Sequence, residues 1–389
     1  MKLRTRLAQG GRVARSQPGT VNIPVARAST VTFGSVAQME EIQKRFDADE
    51  PVPTYGMLNM PLRVAFEEVM VELEGGHRAA TLPSGLAANA VAIMACVNAG
   101  DHILVTDSVY APVRRFCLRT MARYGVETTF YDPLVGADIA KLVKPNTRLV
   151  YVESPGSHTF EMQDIPAIAN VAHARGAAVV HDNAWATGVF YRSFDHGADI
   201  VVQPGTKYPA GHSDVIIGSV IANEKYWPAV RDVSRDFGQM ASPDDVFLAL
   251  RGMRTLEVRL RQHEKSAMQL ARWLRGHPAV ARVLHPALED DPGHAIWKRD
   301  YLGSSGLFGV EFKPCGDRGL AAFIDSLELF ALGYSWGGFD SLVVPQNIHK
   351  SRSVRPWKGG PLIRLQIGLE DPDDLCADLE RGLAKLKTA

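Results

Sequence analysis

The sequence predicts an α/β fold, with a large domain built on a mostly parallel sheet and a smaller C-terminal α+β domain. Short apolar runs recur between residues 62 and 220 and alternate with amphipathic segments. Continuous apolar strands of this kind are typical of sheets that helices cover on both faces. After residue 255 the pattern changes to a long charged segment followed by further strands, which predicts the second domain.

The elements of the large domain follow from local spacing. Apolar residues recur at helical intervals from Phe66 to Leu73, and Gly75 ends that helix. Further amphipathic segments predict helices near 112–124 and 164–175. The apolar runs predict strands at 102–107, 147–153, 177–182 and 199–203.

The C-terminal region has its own set of elements. The pattern predicts a charged helix at 257–275, strands at 307–314 and 362–369, and a last helix near 373–387. No internal repeat or low-complexity linker separates the two regions, so we expect them to pack together. We therefore divide the chain into an N-terminal arm at residues 1–60, a large domain at 61–255 and a C-terminal domain at 256–389.

Composition excludes several classes of partner. The chain has 43 Lys and Arg against 43 Asp and Glu, and so lacks the excess basic charge with which proteins bind nucleic acid or anionic membranes. The longest apolar stretch, residues 87–99, is shorter than the roughly 20 residues that cross a bilayer. The four cysteines are scattered and form no C-x-x-C pair, which is typical of a reducing compartment and predicts a cytoplasmic protein.

The N-terminus allows two interpretations. Residues 1–39 contain six basic residues and no acidic one, a bias that is also found in organellar transit peptides. The alternative is an extended arm of the mature protein that docks on a neighbouring subunit. The family resemblance described below favours the arm.

Several reactive side chains follow predicted strands. Asp182 ends one strand, Lys207 follows the next, and Tyr110 follows an earlier one, while the turn at 83–86 precedes a helix. The carboxyl ends of parallel strands meet at one edge of a sheet, where ligands bind. Taken singly, each residue also fits a structural role: a solvated lysine, a strand-end cap, a half-buried aromatic ring and a tight turn.

Together, these groups match the needs of pyridoxal phosphate. Its aldehyde bonds to a lysine, and its pyridine nitrogen pairs with a carboxylate. Its phosphate suits the N–H groups at the start of a helix, and an aromatic ring stacks on the pyridine. The sequence therefore predicts this cofactor.

Eight blocks of sequence carry a family resemblance. They are ELEGG (72–76), PSGLAA (83–88), VESPGS (152–157), HDNAWATG (181–188), QPGTKYPAGHSD (203–214), LRGMRTLEVRLRQH (250–263), YSWGGFDSL (334–342) and LIRLQIGLED (362–371). Through them the chain resembles the pyridoxal-phosphate-dependent enzymes of Cys/Met metabolism (the trans-sulfuration enzymes), and among these the bacterial cystathionine β-lyases. The resemblance extends over nearly the whole chain. It implies the PLP-dependent transferase fold of aspartate aminotransferase (fold type I) and a homotetramer whose subunits share active sites.

The resemblance also implies roles at the cofactor. Lys207 would bond to the aldehyde and then act as acid and base, Asp182 would pair with the pyridine nitrogen, and Tyr110 would stack on the ring. The phosphate would be bound by the amides of Gly85 and Leu86, with the hydroxyl of Thr206 beside them.

On the substrate side, the resemblance implies a carboxylate-binding arginine. Arg364 would bind the α-carboxylate of an amino-acid substrate, and Ser335 and Trp336 would line the pocket. Tyr55 would reach in from a neighbouring subunit, which makes Lys207, Tyr110 and Tyr55 the expected catalytic residues. The implied reaction is β-elimination of L-cystathionine, or of a related cysteine S-conjugate, to a thiol, pyruvate and ammonia. With cystathionine the thiol is homocysteine.

The chain departs from the family pattern near the substrate. Relatives have Tyr-x-Arg where this chain has Tyr55-Gly56-Met57, so the arginine that binds phosphate is replaced by methionine. Arg63 is a possible substitute. After Tyr110, where a lyase relative has acidic residues, this chain has Ala111 and then Arg114 and Arg115, which leaves the physiological substrate open.

Alternative functions remain at this stage. One is another trans-sulfuration activity, and another is an amino-acid racemase, in which Lys207 and Tyr55 would serve the two faces of the substrate. A third is a cofactor-binding regulator with little turnover. The fourth is a serine hydrolase, because residues 333–337 match G-x-S-x-G, a motif that requires a strand before it and a helix after it.

Overall fold

Two sheets organise the chain in the computed structural model, which describes residues 1–12, 19–348 and 351–386. The α-helices are α1 (Leu3–Gln9), α2 (Val36–Asp47), α3 (Pro61–Glu74), α4 (Gly85–Met94), α5 (Ala111–Phe116), α6 (Ile165–Ala174), α7 (Thr187–Phe190), α8 (Trp227–Asp236), α9 (Pro243–Met253), α10 (Leu256–Arg275), α11 (His294–Asp300), α12 (Gly316–Asp325) and α13 (Pro372–Leu383). The strands are β1 (Arg78–Leu82), β2 (His102–Thr106), β3 (Glu127–Tyr131), β4 (Thr147–Glu153), β5 (Ala178–Asp182), β6 (Ile200–Gln203), β7 (Gly218–Ala222), β8 (Val280–Leu284), β9 (Leu307–Phe312), β10 (Ala331–Leu332), β11 (Leu342–Gln346) and β12 (Leu362–Gln366).

The first sheet has seven strands in the order β1-β7-β6-β5-β4-β2-β3. Strands β2 to β6 pair in parallel, whereas β7 pairs antiparallel with both β6 and β1. Every residue of β2, β5, β6 and β7 is buried, because helices pack on both faces. The predicted α/β class with a mostly parallel sheet is confirmed.

The predicted elements of the large domain are present with small shifts at their ends. The helix predicted at 112–124 is α5 followed by a π-helical segment, Cys117–Met121. Strands β1, β3 and β7 were missed, because their runs are short and contain threonine or serine beside apolar residues.

The N-terminal arm is not extended throughout, which corrects the prediction. Helix α1 packs on α3 with Leu7 fully buried. Helix α2 begins after Ser35, whose hydroxyl accepts a hydrogen bond from the amide of Gln38 at 3.1 Å. This capping bond satisfies one of the amides that a helix start leaves unpaired, and no residue of α2 is buried.

The second sheet forms the smaller α+β region that the sequence predicts. Its five strands lie in the order β10-β11-β12-β9-β8, and all neighbours except β10 and β11 pair antiparallel. Helix α10 packs on β8, β9 and α13. Strand β12, which bears Arg364, is central. No helix of the described residues is both long and apolar enough to cross a membrane.

One buried carboxylate joins a C-terminal loop to the large sheet. Asp107 directly follows β2, and its side chain is fully buried. It accepts hydrogen bonds from the amides of Ser353, Val354 and Arg355 at 2.9–3.0 Å and pairs with Arg114 at 3.0 Å. Burial acts to raise the pKa of Asp107, but these amides hold the pKa below its ordinary value. The loop at 353–355 is thereby bound to Asp107, which precedes Tyr110 by three residues in the sequence.

We expect Asp107→Ala to lower the free energy of unfolding by about 3–5 kcal/mol, because it leaves a buried arginine and several amides without their partner. Urea denaturation measures this, and hydrogen exchange at 353–355 should accelerate. The control is Asp290→Ala, which removes a pair with Arg275 whose side chains are 64% and 46% exposed and should cost at most about 1 kcal/mol. Equal losses in the two variants would contradict the prediction.

Candidate active site

The predicted reactive residues meet at the carboxyl edge of the large sheet. Asp182 is the last residue of β5 and lies opposite Glu153, the last residue of β4. Lys207 follows the neighbouring strand β6, and Tyr110 precedes α5. Since these strands are parallel, their carboxyl ends share one edge, as the sequence predicts.

Asp182 is a buried carboxylate that neutral donors hold in place. The side-chain amide of Asn89 donates from Nδ2 to Asp182 Oδ2 at 3.1 Å, and the Tyr151 hydroxyl approaches the same oxygen at 3.4 Å. The backbone amide of Ala184 donates to Oδ1 at 3.2 Å. Burial raises the pKa of Asp182, and these donors oppose the increase. No described residue forms an ion pair with it within 4.0 Å, so the position suits a cationic ligand atom.

Lys207 presents its amine to the same space. Its Nζ donates to the Ser335 hydroxyl at 2.5 Å and lies 5.1 Å from the centre of the Trp336 ring. Burial lowers the pKa of Lys207 to about 8, the charge of Arg364 acts in the same direction, and Asp182 opposes them. An amine with this pKa is partly neutral near pH 7, as a nucleophile or a base requires.

The loop after β10 brings the predicted substrate residues to this amine. Ser335 has a left-handed backbone conformation, with φ of 74°, and its carbonyl accepts a hydrogen bond from Arg364 Nη2 at 2.9 Å. At Gly337, a Cβ atom would lie 2.8 Å from the backbone nitrogen of Tyr208 and 2.9 Å from the carbonyl carbon of Lys207. Glycine therefore lets the loop pack directly on the lysine segment.

The start of α4 has two backbone amides without an acceptor, at the position where the sequence predicts phosphate binding. The Ser84 hydroxyl accepts from the Ala87 amide at 3.1 Å, whereas the amides of Gly85 and Leu86 have no acceptor among the described residues. A Cβ atom on Gly85 would lie 2.7 Å from Pro204 Cβ, so glycine allows this helix start to lie against the lysine loop. Free amides at a helix start suit a phosphate.

The Thr206 hydroxyl is already bonded within the protein. It donates to the carbonyl of Ile217 at 3.0 Å and accepts from the amide of the same residue at 2.9 Å. A contact between this hydroxyl and phosphate, which the sequence predicts, requires it to exchange a bond with Ile217.

Tyr110 lies at the rim of the site and is held there by Glu153. The backbone amide of Tyr110 donates to Glu153 Oε2 at 2.7 Å, and the Ser157 hydroxyl donates to Oε1 at 2.5 Å. Burial raises the pKa of Glu153 to about 8, as does the nearby charge of Asp182. Burial likewise raises the pKa of the Tyr110 hydroxyl. Tyr110 as a whole is 44% exposed, which leaves its side chain accessible to a ligand.

Tyr55 and Met57 lie in the arm, and the described contacts of Tyr55 are with other residues of the arm. Tyr55 is half exposed and bridges to Thr30 and Leu58. Its role at the site of a neighbouring subunit stays a prediction.

Arg63, the suggested substitute for the missing arginine, is held within its own chain. Its guanidinium donates to Glu67 at 2.8 Å, to the Met57 carbonyl at 2.6 Å and to the Thr81 carbonyl at 3.2 Å. These contacts give the substitute role no support.

The two arginines after Tyr110 differ. Arg114 donates to Asp107 and to the Ser353 hydroxyl, and its guanidinium lies 3.7 Å from the centre of the Phe130 ring. Arg115 is exposed and forms no hydrogen bond or ion pair with the described residues. Arg114 therefore stabilises the fold, and Arg115 is the one of the two that is available to a substrate.

The hydrolase motif does not have the required context. Ser335 lies in a loop between β10 and β11, and no helix follows it within the described residues 338–348. A nucleophile elbow places its serine between a strand and a helix. The structure therefore gives the hydrolase alternative no support.

The sequence assigned no role to three polar residues that shape the site: Asn89, Tyr151 and Glu153. Each carried a weak signal. Asn89 lies one helical turn after Gly85 in an apolar helix, and Tyr151 and Glu153 are polar members of a buried strand. Buried polar groups need partners, so polar positions in otherwise apolar elements are the pattern to search for.

In protein that carries no aldehyde cofactor on Lys207, we expect the amine of this residue to react with acetic anhydride at a rate that rises as the pH passes through about 8. The exposed Lys225, whose pKa is raised, serves as the internal control and should react comparably only at higher pH. In Arg364→Ala the midpoint for Lys207 should move to higher pH, because a neighbouring positive charge is removed. Mass spectrometry of the labelled peptides reports each site, and identical profiles for the two lysines would contradict the prediction.

Both the sequence and the structure of this chain are similar to those of known proteins. The putative cystathionine β-lyase of Rhizobium johnstonii is 46% identical over 386 residues, which cover 98% of this chain and 96% of that protein. The cystathionine β-lyase of Salmonella typhimurium is 42% identical, and the match covers 99% of both chains. The crystal structure of cystathionine γ-synthase from Xanthomonas oryzae pv. oryzae, in complex with aminoacrylate and cysteine, superposes with a TM-score of 0.90 at 28% identity, covering 99% of this chain and 98% of that one.

The family pattern itself matches residues 4–384. This match spans both sheets and every residue of the site described above. The chain belongs to the Cys/Met metabolism PLP-dependent enzymes.

Proposed function

We propose that this chain is a PLP-dependent carbon–sulfur β-lyase that acts on L-cystathionine or a related cysteine S-conjugate. The observation that carries the proposal is the contact of Lys207 Nζ with Ser335, whose carbonyl binds Arg364. A base and a carboxylate-binding group therefore meet at one residue. Relatives named for cystathionine β-lyase activity match the whole length of the chain.

The residues at the sheet edge fit pyridoxal phosphate. Lys207 would bond to its aldehyde, Asp182 would pair with its ring nitrogen, and Tyr110 would cover one face of the ring. The amides of Gly85 and Leu86 would bind the phosphate. The bound cofactor supplies an aldehyde that bonds to amines and a cationic ring that stabilises negative charge on the substrate Cα.

The protein side chains would then position the substrate and move its proton. Arg364 would bind the α-carboxylate and fix the Cα–H bond in front of Lys207, because a guanidinium and a carboxylate pair in a defined plane. Lys207 Nζ, released from the aldehyde when the substrate amine replaces it and oriented by the Ser335 hydroxyl, would take the Cα proton. The Cβ–S bond breaks, the thiolate leaves and takes up a proton, and hydrolysis of the remaining three-carbon unit gives pyruvate and ammonia. The Trp336 ring would shield the amine from water.

Assembly would complete the site. We infer a homotetramer in the cytoplasm, in which the arm of one subunit (residues 1–60) brings Tyr55 to the site of another, with the large domain at 61–255 and the C-terminal domain at 256–389. Helix α2 supports this arrangement, because none of its residues is buried within a single chain.

The test is spectroscopic and chemical. Purified protein supplied with the cofactor should show a visible absorbance band that borohydride abolishes and that Lys207→Ala lacks. It should convert cystathionine, or another thiol-bearing amino acid, to equimolar thiol and pyruvate. A colourless protein that cannot be reconstituted would overturn the proposal. A D-amino acid as the main product would instead identify a racemase.

We expect Met57→Arg to tighten cofactor binding by about tenfold to a hundredfold, because a charge-assisted hydrogen bond to phosphate contributes about 1.5–3 kcal/mol. Equilibrium dialysis of the cofactor against the variant and the wild type measures the effect. The control is Leu302→Arg, which adds the same charge at a residue that is 71% exposed and lies outside the arm, and which should leave the affinity unchanged. Equal affinities in all three proteins would show that residue 57 lies away from the phosphate.

A further inference from the structure

A second buried carboxylate lies directly behind the site. Glu74, the last residue of α3, is fully buried. Its Oε1 accepts from the Gly188 amide and from Gln203 Nε2, both at 2.8 Å, and its Oε2 accepts from Asn183 Nδ2 at 2.8 Å. Burial raises the pKa of Glu74 to about 7, against which these three donors act.

Two of the three donors come from the segments that carry the two main reactive residues. Asn183 follows Asp182 directly at the end of β5, and Gln203 ends β6, four residues before Lys207. Gln203 Nε2 also approaches the Asn183 carbonyl at 3.2 Å. The Glu74 carboxylate thus joins the end of β5, which carries Asp182, to the end of β6, which precedes Lys207.

The side-chain amides of Asn183 and Gln203 are oriented with their nitrogen atoms toward the Glu74 carboxylate. Asn183 Oδ1 and Gln203 Oε1 are buried and have no hydrogen-bond partner among the described residues. If either amide group rotated by half a turn, its oxygen would face the Glu74 carboxylate and the donor would be lost. Asn183 Nδ2 also donates to the Tyr191 carbonyl at 2.9 Å, so Glu74 stabilises the observed orientation of Asn183 together with Tyr191, and that of Gln203 together with the Asn183 carbonyl.

We propose that Glu74 is a positioning residue that fixes the separation of Asp182 and Lys207 by binding Asn183 and Gln203 together. The proposal rests on the proposed function, because it assigns Asp182 and Lys207 to opposite ends of one cofactor. Glu74 touches neither substrate nor cofactor and acts through the ends of β5 and β6. Small displacements of reacting groups reduce rates strongly, so loss of this connection should affect the site more than the fold.

The chain offers a matched control in Asp378. This residue of α13 is also fully buried, and it accepts hydrogen bonds from the amides of Glu328, Leu329 and Phe330 at 2.9–3.3 Å. Asp378 also pairs with Arg381 at 2.9 Å. It is therefore a buried carboxylate with at least as many donors as Glu74, but it lies behind the second sheet, and its partners do not adjoin Asp182 or Lys207. A change of charge at Asp378 should affect stability alone.

The experiment compares Glu74→Gln with Asp378→Asn in full-length protein loaded with pyridoxal phosphate. Five quantities are measured: the urea midpoint, the position of the visible absorbance band, the rate at which the cofactor is released on dilution, and kcat and KM with cystathionine. Both variants should lower the urea midpoint. Only Glu74→Gln should shift the band, release the cofactor at least about tenfold faster and lower kcat at least about tenfold with KM changed less.

The outcomes separate the inference from the function. If the wild type shows no band, the proposed function itself fails. If the wild type shows the band and Glu74→Gln matches Asp378→Asn in band, release rate and kcat, the positioning role is overturned. Should Glu74→Gln not fold, Asn183→Ala removes one of the three donors and must shift the same quantities in the same direction by a smaller factor. An Asn183→Ala protein with the band, release rate and kcat of the wild type would also overturn the role.

Discussion

The carboxylate of Asp182 is buried at the end of β5, and the arrangement of the site follows from the need to stabilise that charge. Neutral donors from Asn89, Tyr151 and Ala184 orient it without neutralising it. A second carboxyl group, Glu153, ends the next strand, and burial together with the charge of Asp182 raises its pKa to about 8, so a second negative charge beside Asp182 is disfavoured at neutral pH. Such a pair of strand ends favours a cationic ligand group, because the ligand supplies the charge that the protein leaves out.

Burial and a neighbouring guanidinium lower the pKa of the Lys207 amine, which faces the same edge. Lys207 is largely removed from water and lies near the guanidinium of Arg364, and both effects favour the neutral amine. One site therefore disfavours a proton on its lysine and awaits a cation at its aspartate. Burial therefore moves the pKa of Lys207 down and that of Asp182 up, and groups with shifted pKa values in one cleft are characteristic of functional sites.

Much of the fold and the site could be predicted from local pattern. The strands that bear Asp182 and precede Lys207 are continuous apolar runs, and Gly85 follows a serine that caps a helix. Other features depend on residues far apart in the sequence. Arg114 appeared to border the substrate, yet it binds Asp107 and Ser353, more than two hundred residues apart from each other. The sequence offers Arg63 as a phosphate ligand, but its guanidinium donates to three acceptors within its own chain.

The sequence by itself determined the fold class, the identity of the reactive side chains and their order along the chain, because strand and helix periods and family blocks are local properties. Only the tertiary structure decided which groups are buried together. It placed Ser335 and Arg364, from the second sheet, against Lys207 in the first, and it set Glu74 behind two strand ends. Hydrogen bonds and pKa values depend on distances of a few ångströms, and packing between remote segments fixes those distances.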